Sequence, residues 1–168
     1  MNVVDPRLAA VLDARERWYL RKRSTMEAAA ETTWIELSLN IPGWPKIDPW
    51  IETVHAAGLR AVPRRLGARL RARHHNAAGY FALFESQLDP VEAKRRAIDL
   101  EASHPVGRLW DLDCRGPLGV VTRRMLGLPE RACLLCPRPH DACIGHGAHD
   151  TKALRTRAQH LARHMSQE

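Results

Sequence analysis

From position 7 to 23, apolar residues return every three or four places. Leu8, Val11, Leu12, Tyr19 and Leu20, with Arg15 among them, fall on one stripe, the spacing of an amphipathic helix. Asp5 followed by Pro6 supplies a cap and a first helical residue. At 32–39 the period changes to two. Trp34, Glu36 and Ser38 alternate with Ile35, Leu37 and Leu39, which predicts a strand. Two prolines and a glycine between Asn40 and Pro45 turn the chain into a loop. A helix is expected over 48–59, opened by Asp48 and Pro49 and closed by Gly58. Six arginines without an acid follow between Arg60 and Arg73, read as a helix with Arg65 and Arg69 on one face and Leu66 and Leu70 on the other. Residues 78–86 read as a buried strand and 90–97 as a short helix. Leu109, Leu112, Val120 and Val121 flank Arg115-Gly116-Pro117, the pattern of a hairpin whose returning strand carries Arg123 and Arg124. Residues 150–165 read as a terminal helix. Strands and helices mix without βαβ alternation. The expected class is α+β: one domain over 1–168, with a mixed or antiparallel sheet, flanking helices and a Cys/His-rich segment at 132–150.

The chain of 168 residues carries 26 Lys and Arg against 19 Asp and Glu, a net charge of +7. Such a balance suits polyanionic partners: nucleic acid, phosphorylated metabolites or an acidic protein. The charge is uneven, because residues 85–113 hold seven acids and four bases. No apolar run approaches membrane-spanning length, and the first residues lack the order of a secretory signal. A cytoplasmic protein without membrane association is expected.

The acidic island contains Asp111-Leu112-Asp113. On a strand, residues two apart project to one face, so both carboxylates point together while Leu112 turns to the core. Such a pair repels unless a cation lies between, and Mg²⁺ prefers hard oxygens of this kind. Ordinary surface acids are the competing reading. Gly107-Arg108 precede the pair, Glu101 and His104 lie upstream, and Arg123 and Arg124 lie downstream. Carboxylates for a metal beside arginines for phosphate is a layout suited to phosphoryl or nucleotidyl transfer, although Arg108 and Arg123 could equally pair with the aspartates.

Cys133, Cys136 and Cys143 are followed by His146 and His149, a spacing compatible with a structural Cys₃His zinc site or with three buried, unligated thiols. Cys114 is left over, at a buried strand position. The arginine run offers contacts for nucleic-acid phosphates or an acidic partner, or is a solvated face. No nucleic-acid-binding signature accompanies it, and nine aromatics leave little for base stacking.

Taken together, Glu101, His104-Pro105, the run from Gly107 to Asp113, Arg123, Leu128-Pro129, Arg131, Cys133-Leu134-Leu135-Cys136, Cys143 and His149 resemble the citrate lyase holo-acyl-carrier-protein synthase family, also called apo-citrate lyase phosphoribosyl-dephospho-CoA transferase. The likeness covers about residues 91–150, with Glu16-Arg17, Pro42-Gly43 and Lys46 as weaker matches. Cys114, Thr122 and Glu130 depart from the family pattern, as does the stretch between Cys143 and His149, which lacks its usual basic residues.

The resemblance implies a nucleotidyltransferase-type enzyme. It would move the 2'-(5''-phosphoribosyl)-3'-dephospho-CoA group from its triphosphate precursor, triphosphoribosyl-dephospho-CoA, to a serine of the citrate lyase acyl-carrier subunit, releasing pyrophosphate. Asp111 and Asp113 would hold Mg²⁺. Gly107, Arg108, Lys46, Arg123 and Arg17 would bind substrate, and Glu101 would be a general base or would orient Arg108. His149 rather than His146 would complete the zinc set. Nucleic acid is not an implied partner. The alternatives are a zinc-stabilised basic binding module for nucleic acid or protein, and the equivalent transferase for malonate decarboxylase.

Overall fold

The computed structural model describes residues 6–165, with positions 144 and 145 as backbone only. Asp5, the expected first cap, lies outside the described residues. The elements run α1 (Pro6–Glu27), β1 (Thr33–Leu39), α2 (Pro49–Leu66), β2 (Ala68–Asn76), β3 (Gly79–Ser86), α3 (Pro90–Ser103), β4 (Trp110–Gly116), β5 (Gly119–Val121), α4 (His140–Gly145) and α5 (Thr151–His164). The class is α+β, and the sheet is antiparallel throughout, in the order β2-β3-β1-β4-β5.

The period-two pattern of β1 divides the molecule. Ile35 and Leu37 enter a core with Phe84, Leu112, Trp110 and the inward residues of α2, α3 and α5. Trp34 faces the other way, into a smaller cluster with Trp18, Phe81 and Leu83 under α1. Asp48 accepts the Trp50 N–H at the head of α2, and Asp89 accepts the N–H groups of Val91 and Glu92 at the head of α3. Each is followed by Pro at the first helical position, where its missing N–H costs nothing.

Five expectations need correction. The α1 stripe is not its buried face: Leu8, Leu12, Tyr19 and Leu20 are about half exposed, while Ala14 and Trp18 are buried. A single large anchor sets the rotation of this helix. Trp18 stacks on Phe81 and donates its indole N–H to Glu36 at 2.6 Å. The helix over 48–59 does not stop at Gly58 but runs to Leu66, with Gly67 as its left-handed cap at φ 57°. Gly58 is instead a point of close approach, since a Cβ there would lie 2.6 Å from Leu37 Cδ2. The arginine run is therefore split. Arg60, Arg64 and Arg65 are on α2, whereas Arg69, Arg71 and Arg73 are on β2, an edge strand that charge protects from pairing with another chain. Arg65 and Arg69 share no helical face. Finally, α3 continues past 97 to Ser103, which places Glu101 in its last turn, and Arg123 lies beyond β5 rather than on it.

Candidate functional site

The strand register assembles the floor of a cleft. Asp111 stands opposite Ser38, and Asp113 opposite Glu36, across the β1–β4 pair. The alternation of β1 puts Glu36 and Ser38 on the α1 side of the sheet, and Asp111 and Asp113 share that side while Leu112 is buried. A cleft of about 390 Å³ beneath α1 includes Glu36 and Asp113. Beside it lies a cleft of about 530 Å³ lined by Ser38, Asp111, Asp113, Lys94, Arg123 and Arg131 among others, with Arg15 reaching in from α1.

β5 is short, and this exposes the outer edge of β4 beyond Cys114. Side chains take the place of the missing strand. Leu112 donates its N–H to Glu101 Oε1 at 2.9 Å and accepts from Lys94 Nζ at 2.7 Å. Arg131 donates to the Trp110 carbonyl at 2.8 Å. Glu101 and Lys94, seven residues apart and hence two turns along α3, reach the edge from one face of the helix. The second oxygen of Glu101 meets Arg131 at 2.6 Å and Arg123 at 3.2 Å. Glu101 is 3% exposed, and its carboxylate is spent on these three donors. It organises the arginines that rim the cleft.

The aspartates are different. Among the described residues, each meets one cation within 4 Å, Arg131 for Asp111 and Lys94 for Asp113, both at 3.8 Å. Both remain about half exposed, so lone pairs stay free. Burial, and then the charge of Asp113, push the Asp111 carboxyl above the usual carboxylate range. Two hard carboxylates on one strand face, opposite Glu36 and Ser38, are a donor set that could hold a hard cation.

The other expected residues are distributed more widely. Arg108 lines an adjoining cavity of about 250 Å³ with Pro42, Leu134 and Leu154, and donates to the Ala132 carbonyl. Asn40 and His140 belong to both spaces. Gly107 is buried against α3, where a Cβ would come within 2.4 Å of the Glu101 carbonyl oxygen, a contact no flexible side chain can relieve. Gly107→Ala should therefore cost about 1–3 kcal/mol, read as a drop in Tm of roughly 5 °C; an unchanged Tm would show that the approach is not required. Arg17 pairs with Asp13 on the exposed side of α1 and is not among the residues lining the cleft, whereas Arg15 is. Lys46 does not line it either. It donates to the Ile41 carbonyl, and burial beside Arg15 and Arg155 lowers its pKa.

Cys133, Cys136, Cys143 and His149 converge, with their ligand atoms within 4.8 Å of one another, an arrangement that could hold a metal ion. His149 Nε2 lies 3.2 Å from Cys136 Sγ and draws that thiol down to about 6, while burial raises Cys143 to about 11. His146 instead contacts the Ala142 carbonyl. Cys114 is fully buried in the core and pushed up to about 12, as an inert thiol would be. The cluster ties off a hairpin in which Cys133 N–H bonds Arg138 O at 2.7 Å and His140 N–H bonds Arg131 O at 2.8 Å. That hairpin delivers Arg131 and His140 to the cleft.

Sequence reasoning did not assign site roles to Glu36, Ser38, Asn40, Lys94, Arg131 or His140. The alternation around Glu36 and Ser38 and the seven-residue spacing of Lys94 and Glu101 were usable signals, once β1 is paired with β4 and α3 extended.

The chain matches the family model described as apo-citrate lyase phosphoribosyl-dephospho-CoA transferase over residues 7–165. It is 34% identical over 106 residues to the proteins of that name from Escherichia coli O139:H28 (strain E24377A / ETEC) and Escherichia coli O8 (strain IAI1), and to the one from Shigella boydii serotype 18 (strain CDC 3083-94 / BS512). The matched stretch is 61% of this chain and 58% of each relative's length. With the family model spanning nearly all of the described residues, the chain belongs to the apo-citrate lyase phosphoribosyl-dephospho-CoA transferase family.

Proposed function

We propose that this protein transfers the phosphoribosyl-dephospho-CoA group from its triphosphate precursor to a serine of the citrate lyase acyl-carrier subunit, with release of pyrophosphate. The observation that carries the reading is the Asp111–Asp113 pair on the floor of a cleft rimmed by Arg15, Lys94, Arg123, Arg124 and Arg131. Three linked phosphates bring several negative charges, and this rim offers cations on separate elements to meet them. Mg²⁺ held by Asp111 and Asp113 would supply charge neutralisation at the triphosphate. Arg123 and Arg131, aimed by Glu101, hold phosphate oxygens without moving during the reaction, which is where preorganised electrostatics contributes most. Arg108, in the less polar adjoining cavity, meets the diphosphate of the dephospho-CoA arm.

The test is mass spectrometry of the carrier after incubation with precursor, Mg²⁺ and this protein. A mass increase of one prosthetic group, with matching pyrophosphate release, is expected. Labelling of the malonate decarboxylase carrier alone would move the activity to that system, and labelling of neither carrier would overturn the transferase reading.

The Cys/His group is assigned a structural zinc ion, for which three thiolates and an imidazole are a familiar closed set. Elemental analysis should find about one equivalent of zinc. Chelation should lower the Tm, because a metal bound only by the folded chain stabilises it. Metal-free protein with an unchanged Tm in chelator would leave the three cysteines as core thiols.

A further inference from the structure

The transfer needs a base for the serine hydroxyl, and Glu101, which the family resemblance suggests, faces away from this task with both oxygens engaged by Leu112, Arg123 and Arg131. Asp111 and Asp113 are committed to the cation. We infer that His140 is the catalytic base, with Asn40 and Asp141 fixing its tautomer. This assignment rests on the transferase reading.

Three observations carry it. First, His140 lines the cleft that holds both aspartates and is 28% exposed, open enough to receive a substrate proton. Second, its two ring nitrogens have unlike partners. Asn40 Nδ2 lies 3.2 Å from Nε2, and an amide N–H only donates, so Nε2 carries the lone pair. The ring proton is then on Nδ1, 3.3 Å from Asp141 Oδ1. That assignment follows from the orientation of the Asn40 amide, and it is the tautomer a general base needs: a lone pair on Nε2, held by Asn40 until a substrate hydroxyl replaces it, and a carboxylate behind Nδ1 to stabilise the imidazolium. Third, the backbone holds the ring in place from two sides. The His140 N–H is bonded to Arg131 O, and Asn40 N–H to Leu109 O at 2.9 Å. Asn40 is the first residue after β1, two beyond Ser38, which stands opposite Asp111, so the amide that touches the imidazole is set about 7 Å along the chain from the Asp111 register, and both residues line the same cleft. The cleft of about 530 Å³ that the aspartates and His140 line together has room for a phosphoryl group.

In the step, the serine oxygen displaces Asn40 as the partner of Nε2 and attacks the α-phosphorus. Its proton passes to Nε2 as the new P–O bond forms. The bond from phosphorus to the bridging oxygen breaks, and pyrophosphate leaves with that electron pair. The imidazolium then returns its proton to solvent. Other charged groups reach the two spaces around the ring from α1 (Arg15), α3 (Lys94), β4 (Asp111, Asp113) and the hairpin (Arg131), and from the adjoining cavity (Arg108, His149).

The experiment measures carrier labelling from pH 5 to 9 for the wild type, His140→Ala, His140→Gln and Asp141→Asn, with precursor binding followed by calorimetry and the fold by Tm. Wild-type labelling is the control on the transferase reading; without it that reading fails, and with it only the base assignment is in question. Removing a general base should lower kcat by about 10²-fold or more. Precursor affinity should stay within a few fold, and the acidic limb of the pH profile should disappear. Added imidazole should restore part of the rate to His140→Ala, which a merely structural role would not allow. Asp141→Asn should also lower kcat, by less than His140→Ala, because the amide oxygen can still accept from Nδ1–H but no longer offsets the charge of the imidazolium. A His140→Gln enzyme with near-normal kcat and the wild-type limb would overturn the assignment. So would a loss confined to precursor binding, or a slow His140→Ala enzyme that imidazole does not rescue.

Discussion

Asp111→Asn and Asp113→Asn should each lower carrier labelling by about 10²-fold or more at saturating Mg²⁺, while the Tm stays level or rises. The two halves of this expectation have one cause. The register with β1 forces both carboxylates onto one face, and burial together with the Asp113 charge raises the Asp111 carboxyl above its unfolded value. Ionising Asp111 therefore weakens the fold. Its contribution to stability is greatest below the unfolded value and declines as pH rises through the folded one. Near neutral pH the charged pair is a liability that Asn removes, as a cation would. Mg²⁺ should accordingly raise the wild-type Tm, since a ligand bound only by the native state stabilises it. That increment should vanish in either variant, and differential scanning calorimetry with and without Mg²⁺ reads it directly. Near-normal labelling by both variants, or an undiminished Mg²⁺ increment, would remove the aspartates from the site.

Local chemistry made most elements legible, though β2 was read as helix; the pairings between them were not. The alternation around Trp34 and Ile35, the Asp-Pro openings of α2 and α3 and the Arg115-Gly116-Pro117 turn each act within a few residues, so the chain alone reveals them. Glycine was ambiguous for a physical reason. Gly58 and Gly67 look alike in sequence, yet one permits contact with Leu37 inside a helix and the other ends that helix at positive φ. The α1 stripe misled because an aromatic with a polar edge, Trp18, outweighs several aliphatic side chains in deciding which face is buried.

The site divides in the same way. The Asp-x-Asp spacing and the Cys₃His set were readable because each lies within a short segment. Lys94, Asn40, Arg131 and His140 come from separate elements, and only the order β1-β4-β5 and the shortness of β5 bring them together. Arg17 and Arg15 show how little separates the two outcomes. Two positions on a helix are about 200° apart, so one arginine rims the cleft while its neighbour pairs with Asp13 on the exposed side.

Glu101→Gln should be among the most damaging isosteric changes in the chain, although the side chain keeps its size and position. The carboxylate accepts from Leu112 N–H, Arg123 and Arg131 at once, in a setting closed to water. An amide supplies one acceptor oxygen and presents N–H groups to at least one of these donors, so a donor must face a donor. The arginines also lose the charge that aims them. Removing one partner of a buried ion pair costs about 3–5 kcal/mol, which for a chain of this length corresponds to a drop in Tm of roughly 10 °C. Activity measured well below that Tm should fall as well, with the loss appearing in precursor KM, because Arg123 and Arg131 no longer rim the cleft in fixed positions. Arg123→Gln provides the contrast. Its guanidinium is the more distant of the two and more exposed, so it should lower precursor affinity with a much smaller loss of Tm. If Glu101→Gln instead kept the wild-type Tm and precursor KM and lost only kcat, the carboxylate would be acting on substrate, and the general-base role would return from His140 to Glu101.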